Sequence, residues 1–333
     1  MIVDIYTHIF PDRFFEELMR GSPKLGNMGK RLRAVTKLFD LDARFRDMDA
    51  IGGDYRQIIS LPNPPIEDLA TGEVGLNLAR IGNDAMAELC QRHPERFPSF
   101  VAALSMTDVE GSVREARRAV EDLGAGGMQI FTSVAGRPLD DPAFEPLFAT
   151  MAELDLPVWL HPARTASMPD YPAEQKSRFE MWWCFGWPYD TSVAMVRMVF
   201  NGLLDRYPKL KIITHHLGGM IPYYDGRIGP GLQVLGSRTS DEDYSSILPS
   251  LKRPHLDYLH DFYGDTALFG GGIQAVRCGL EFFGSDHVVF ATDTPLGPIA
   301  PTIDTIKRLD IAESDRRKIF AGNAERLLKR NLS

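Results

Sequence analysis

Four short strand-like runs of this chain each stop on a side chain that binds divalent cations. Ile2-Val3-Asp4-Ile5-Tyr6-Thr7 closes on His8, Val158-Trp159-Leu160 on His161, Ile212-Ile213-Thr214 on His215-His216, and Val289-Phe290-Ala291-Thr292 on Asp293. The runs are too far apart in sequence to form a local motif. Their ends meet only if the strands lie parallel and close together. His, His, His and Asp gathered at one end of a parallel barrel form a divalent-metal site, because barrel strands point their C-terminal ends at a common mouth.

The rest of the chain has the rhythm such a barrel requires. Apolar runs near 2–6, 56–60, 99–104, 126–130, 157–160, 210–214, 261–265 and 287–291 alternate with helix-period segments. That alternation predicts βα units and a parallel sheet. Eight strands predict a single (β/α)8 TIM-type barrel, and 333 residues suit one such domain over 1–333 with insertions. Over 77–92, Leu78, Ile81, Met86, Leu89 and Cys90 fall on one stripe, with Arg80, Asp84, Glu88 and Arg92 elsewhere. Residues 11–42 break the alternation after strand one. They hold Phe14, Phe15, Leu18 and Met19, then a Gly/Lys/Arg-rich stretch from Gly21 to Arg33, and are predicted to form a helical lid over the mouth. Residues 165–189 form a second long, aromatic-rich loop. A C-terminal helix is predicted over 313–331, with Asp315 near its start and Lys329 and Arg330 near its end, as the helix dipole favours.

Composition excludes several classes. A net charge of −8 argues against nucleic acid and against anionic membranes. No apolar run approaches the ~20 residues needed to span a bilayer, and no signal peptide precedes the first strand. Cys90, Cys184 and Cys278 are odd in number, widely spaced and free of any Cys-x-x-Cys pair. They read as reduced thiols of a cytoplasmic protein.

The motifs resemble the amidohydrolase superfamily, in the branch of 2-amino-3-carboxymuconate semialdehyde decarboxylase and γ-resorcylate decarboxylase. The matching stretches are Asp4-Ile5-Tyr6-Thr7-His8, Arg44-Phe45-Arg46-Asp47-Met48-Asp49, Trp159-Leu160-His161-Pro162, Phe185-Gly186-Trp187-Pro188-Tyr189-Asp190-Thr191, Arg206-Tyr207-Pro208 through His216 to Gly226-Arg227-Ile228, and Thr292-Asp293. The resemblance implies a barrel enzyme with one divalent ion held by His8, His161 and Asp293. Zinc is expected, with manganese as the alternative. It also implies a homodimer or higher homo-oligomer. Strand four offers Gln129 and no lysine, so a carbamylated bridging lysine is absent there and one metal is favoured over two.

One position departs from the branch, which places His-x-His or Glu-x-His where this chain has Tyr6-Thr7-His8. A phenol has a reference pKa of ~10 and ligates only if a metal lowers it. Three readings stay open: a weak or absent ligand, a substrate-orienting hydroxyl, or a site that has lost its metal. Adjacent strand residues point in opposite directions, so only one of His215 and His216 should face the axis. His216-Leu217-Gly218-Gly219-Met220-Ile221-Pro222 resembles the family's His-Gly-Gly-Gly segment, which selects His216 as the inward acid/base and leaves His215 to pack outward or to support neighbouring loops through a hydrogen bond. His93, His255, His260 and His287 read as structural. Arg44 and Arg46, spaced beside Asp47 and Asp49, read as a solvated or ion-paired helix face.

A small carboxylate substrate needs a cation and a wall. Arg227 and Arg164 are the candidate carboxylate partners, and Trp187, with Trp182 and Trp183, the candidate wall. The first functional expectation is metal-dependent, non-oxidative decarboxylation of a small aromatic or ring-cleavage-derived acid, with His216 or Asp293 delivering the proton. The alternative is hydrolysis of a lactone, ester, amide or carbon–carbon bond on the same scaffold, with or without a metal. A scaffold protein that has lost catalysis is the third reading.

Overall fold

The computed structural model describes residues 1–21, 25, 28–52 and 54–332. Eight parallel strands follow one another: β1 (Ile2–His8), β2 (Tyr55–Ser60), β3 (Ser99–Phe100), β4 (Met128–Phe131), β5 (Pro157–His161), β6 (Lys211–Thr214), β7 (Tyr263–Asp265) and β8 (Val288–Val289). Ladders join β1 to β3 and β4 to β8 in sequence order. A parallel bridge between Ala102 and Met128 links β3 to β4. Across the last seam the Ile5 amide donates to the Phe290 carbonyl at 2.9 Å, and His8 to Thr294 at 2.8 Å. These bonds complete a (β/α)8 barrel with no free sheet edge.

Two apolar clusters separate the faces of this sheet. Val158, Leu160 and Ile212 pack outward against the helices. Val3, Ile5, Ile58, Val101, Trp159, Ile213, Tyr263 and Val289 fill the barrel interior, joined by Leu327 and Leu328 of the C-terminal segment. That segment is not the continuous helix expected over 313–331. It runs as Glu313–Arg317, a π turn over Lys318–Gly322, and Asn323–Leu328. The Ile319 carbonyl is diverted to accept from the Phe290 amide at 2.9 Å, which extends the β8 backbone and interrupts the helical ladder.

Strand alternation carries the inward pattern to the mouth. Trp159 faces the axis, so His161 does too. Ile213 is inward and Thr214 outward, so His215 is the next inward residue. Tyr263 leads to Asp265, and Val289 and Ala291 lead to Asp293. Strand β1 alone switches phase. Its register shifts between Asp4 and Thr7, so Val3 and Ile5 are inward and then Tyr6 and His8, as a bulge allows. In the region of the expected lid, helices span Asp12–Gly21 and Gly29–Ala34. Residues 22–24, 26 and 27 of the Gly/Lys/Arg-rich stretch lie outside the described residues.

Candidate active site

Three buried imidazoles and one carboxylate meet at the mouth, and hydrogen bonding sets the tautomer of each ring. Ser60 Oγ donates to the Thr7 carbonyl at 2.9 Å, so at 2.9 Å from His8 Nδ1 it accepts. His161 Nδ1 lies 2.7 Å from the Pro162 carbonyl, which only accepts. His215 Nδ1 lies 2.6 Å from the Asp265 carboxylate. All three Nδ1 atoms therefore carry the proton, and all three Nε2 atoms present a lone pair. These atoms face one another: the ligand atoms of His8, His161 and His215 lie within 4.8 Å, as do those of His215, His216 and Asp293. His8 Nε2 sits 2.9 Å from Asp293 Oδ1, and His215 Nε2 sits 3.8 Å from it. His8 Nε2, His215 Nε2 and Asp293 Oδ1 have no hydrogen-bond donor. Two acceptors this close are stable only with a proton or a cation between them. The donor set of imidazole nitrogens and one carboxylate suits zinc or another divalent transition metal.

Burial tunes these groups for the same end. It pushes the His8 and His161 imidazoles down to about 3, helped by Arg44 beside His8 and by His8 beside His161. His215 and His216 are also held well below the ordinary histidine range, first by burial and then by neighbouring rings. Neutral imidazoles are ligands; imidazolium ions are not. Burial drives the Asp293 carboxyl well above the usual range, and Asp265 adds to this. A cation in the cradle would reverse that and hold the carboxylate ionised. Backbone strain gathers here as well. Asp293, His216 and Leu217 take φ of 64°, 54° and 55°, and a non-glycine residue in the left-handed region costs of order 1–3 kcal/mol.

Sequence reasoning sent His215 outward, and the structure corrects this. His215 is buried, stacked on His161 at 5.1 Å and edge-on to Tyr6 at 4.8 Å. Strand parity from Ile213 was the available signal. Alternation ends at Thr214, where the chain enters a left-handed turn, so both rings stay at the mouth. His216 lies 3.7 Å from the His215 ring and 6.0 Å from Trp187, half-buried beside a small recess. Asp265 was missed altogether. Its carboxylate holds His215 Nδ1 and the His216 amide, the latter at 3.0 Å.

Beneath the cradle lies a buried polar chain that the sequence disguised. Arg44 is buried, not solvated. It donates to Gln57 at 2.7 Å, to Thr7 Oγ1 at 2.8 Å and to the carbonyl of His8. Gln57 donates to Tyr55 Oη at 3.2 Å, Tyr55 donates to Asp4 at 2.6 Å, and Asp4 accepts the Thr292 amide at 3.0 Å together with its hydroxyl. The chain ties the backbone at His8 to the residue before Asp293, across the seam that closes the barrel. Burial pushes Asp4 up to about 7 against the pull of those donors.

A cavity of about 490 Å³ opens above the cradle. His161, Asp293, Asn63, Glu180, Trp182, Trp183, Trp187, Phe269 and the lid residues Met28, Lys30, Arg31 and Ala34 line it, with Leu296. Trp187 meets His161 edge-on at 5.3 Å. The other expected substrate contacts fall elsewhere. Tyr6 is fully buried below the floor, its hydroxyl donating to Gln129 at 2.6 Å, and burial holds that phenol well above its ordinary range. It is a neutral anchor with no free hydroxyl for substrate. Arg164 packs against Gly186 and faces Asp190 at 3.7 Å, behind Trp187. Arg227 is exposed on a separate apolar groove with Tyr189, Met220 and Tyr224. Both arginines lie in long connections whose course strand periodicity does not fix. His255, His260 and His287 each bond a backbone carbonyl, away from the mouth.

Known proteins resemble the chain in sequence and in fold. It is 32% identical to a γ-resorcylate decarboxylase of Rhizobium radiobacter over 306 residues, 88% of each protein. Its fold superposes on 5-carboxyvanillate decarboxylase from Sphingomonas paucimobilis with a TM-score of 0.84, at 25% identity over 99% of both chains. A dihydroxybenzoic acid decarboxylase of a Polaromonas species, solved with bound manganese and the inhibitor 2-nitroresorcinol, matches with a TM-score of 0.78 at 28% identity over 98% of this chain and 96% of that one. Residues 3–330 match the profile of the Amidohydrolase family, and the chain belongs to that family.

Proposed function

We propose that this protein is a divalent-metal-dependent, non-oxidative decarboxylase of a small aromatic acid. The observation that carries the reading is a cluster of three Nε2 lone pairs and one carboxylate oxygen, of which His161 and Asp293 line an aromatic-walled cavity. His8, His161 and Asp293 would hold the ion, which leaves His215 Nε2 free beside it. Zinc suits this donor set, and the manganese of the Polaromonas relative makes that metal the second candidate. When bound, the ion would supply electrostatic stabilisation of the charge that builds on the substrate as the carbon–carbon bond breaks.

The remaining steps belong to side chains of this chain. Trp182, Trp183 and Trp187 hold the ring of the substrate flat against the mouth. As the bond from ring to carboxylate breaks, its electron pair stays on the ring carbon and carbon dioxide departs. That carbon needs a proton. His215 Nε2 is placed to carry it, because the Asp265 carboxylate on Nδ1 stabilises the imidazolium that forms. His216 shields the pair on the side of Trp187. The helix Gly29–Ala34, which lines the cavity, serves as a cap that excludes water. A reduced, cytoplasmic enzyme accords with three free cysteines and with the lack, among described residues, of any helix long and apolar enough to cross a membrane.

The test is turnover of a hydroxybenzoate panel by manganese- or zinc-loaded protein in deuterated water. The reading expects carbon dioxide release and one deuterium on the ring carbon that lost it. Solvent oxygen in the product, with no carbon dioxide, would establish hydrolysis instead.

A further inference from the structure

The two cations that line the cavity come from the lid, and among the described residues neither forms an ion pair with a carboxylate. Lys30 and Arg31 lie on the Gly29–Ala34 helix and face the space above Asp293. Arg31 donates to the Leu296 carbonyl at 3.3 Å and touches Asp293 only through its field, which pulls that carboxyl down against the larger push of burial, and among the described residues Lys30 pairs with no carboxylate. The contrast with the same segment's outer side is direct: Lys37 there is paired with Asp47. From Met28 to Phe39 the sequence holds Lys30, Arg31, Arg33 and Lys37 and no acid, in a protein of net charge −8. Unpaired cations at the rim of a cleft with apolar walls focus an attractive field on anions.

We propose that Lys30 and Arg31 form a subsite for a second anionic group of the substrate, so that the enzyme selects aromatic dicarboxylates or equally dianionic rings over monoanionic benzoates. This rests on the decarboxylase reading in one respect, the fate of the reacting group. A carboxylate that leaves as carbon dioxide loses its charge, so pairing it firmly with cations would stabilise the ground state and oppose the reaction. A second anionic substituent keeps its charge throughout, and its binding energy is available for orientation at no such cost. In the step itself the ring-to-carboxylate bond breaks, its electron pair takes a proton, carbon dioxide leaves, and the second carboxylate is unchanged. A cavity of about 490 Å³ has room for a ring with two such groups. Glu180, on the same lining, opposes the two cations and sets the sign of a control.

Three of the four tryptophans line this cavity, which gives a binding signal that needs no turnover. Quenching of their fluorescence in manganese-loaded protein would be titrated with isophthalate and with benzoate. Isophthalate should bind at least about tenfold tighter than benzoate. Lys30→Gln and Arg31→Gln should each cut that ratio about threefold, and the double variant roughly tenfold, as solvent-accessible pairs do. Benzoate affinity should hold in all three, which shows an intact cavity. Glu180→Gln should raise the ratio. Equal affinities in the unmodified protein, or a ratio that survives the double substitution, would overturn the subsite. Discrimination between the two acids by a protein that decarboxylates neither these nor any hydroxybenzoate would sustain the subsite and defeat the reaction.

Discussion

The strand ends and the loops that cover them are built on different principles. At the strand ends, position follows from alternation. His161, His215, Asp265 and Asp293 each lie two residues beyond an inward-facing member of the barrel interior. The lid helix at Gly29–Ala34 and the Trp182–Trp187 loop have no such periodicity to obey. Their side chains meet the cavity because of where long connections happen to pack. On the proposed reading, the metal chemistry resides in the first region and the choice of substrate in the second.

Substitutions should expose that division in descending order of effect. His161→Ala or Asp293→Asn should abolish turnover and empty the cradle of metal while the fold persists, as metal analysis and circular dichroism would show. A lid variant such as Arg31→Gln should leave metal content untouched, and metal loss there would break the comparison. His215→Ala should cost ~10²–10⁴ in turnover. His216→Ala should cost much less, since its ring only flanks the pair. The reverse ranking in single-turnover rates would mean that the turn at Thr214 presents the other histidine.

Smaller effects sharpen the boundary beneath the site. Arg44→Met and Thr292→Val break the chain linking His8 to Asp293 without touching any ligand atom. Each should weaken metal affinity ~10–100-fold, the usual cost of losing an outer-layer partner, measured by competition with a chelator. Thr292→Ser should restore it. Tyr6→Phe should keep metal and activity and lower stability by about 1–3 kcal/mol, because it leaves the Gln129 oxygen buried and unpaired. Complete metal loss from Tyr6→Phe would show that the phenol is a ligand after all.

What was legible in the sequence follows the same line. β-Branched runs ending on His8, His161 and Asp293 disclosed the barrel and the mouth, because strand period and barrel direction together place such residues. His215 was turned outward because a glycine-containing motif outweighed the parity running from Ile213, whereas the structure keeps both rings at the mouth. Asp265 went unnoticed at the end of a strand of only three residues. Arg44 looked solvated beside Asp47 and Asp49, since helical spacing cannot reveal that one face packs onto the β1–β2 seam. Arg164 and Arg227 were assigned to the cavity by residue type, and loop packing takes both away from it while bringing in Lys30 and Arg31.

Metal titration of chelator-stripped protein tests the cradle most directly. Manganese or zinc should bind at about one ion per chain, and turnover should rise in proportion to occupancy. Full activity in protein stripped of metal would contradict the account, because the lone pairs of His8 and His161 and the Asp293 oxygen would then converge without a cation to hold.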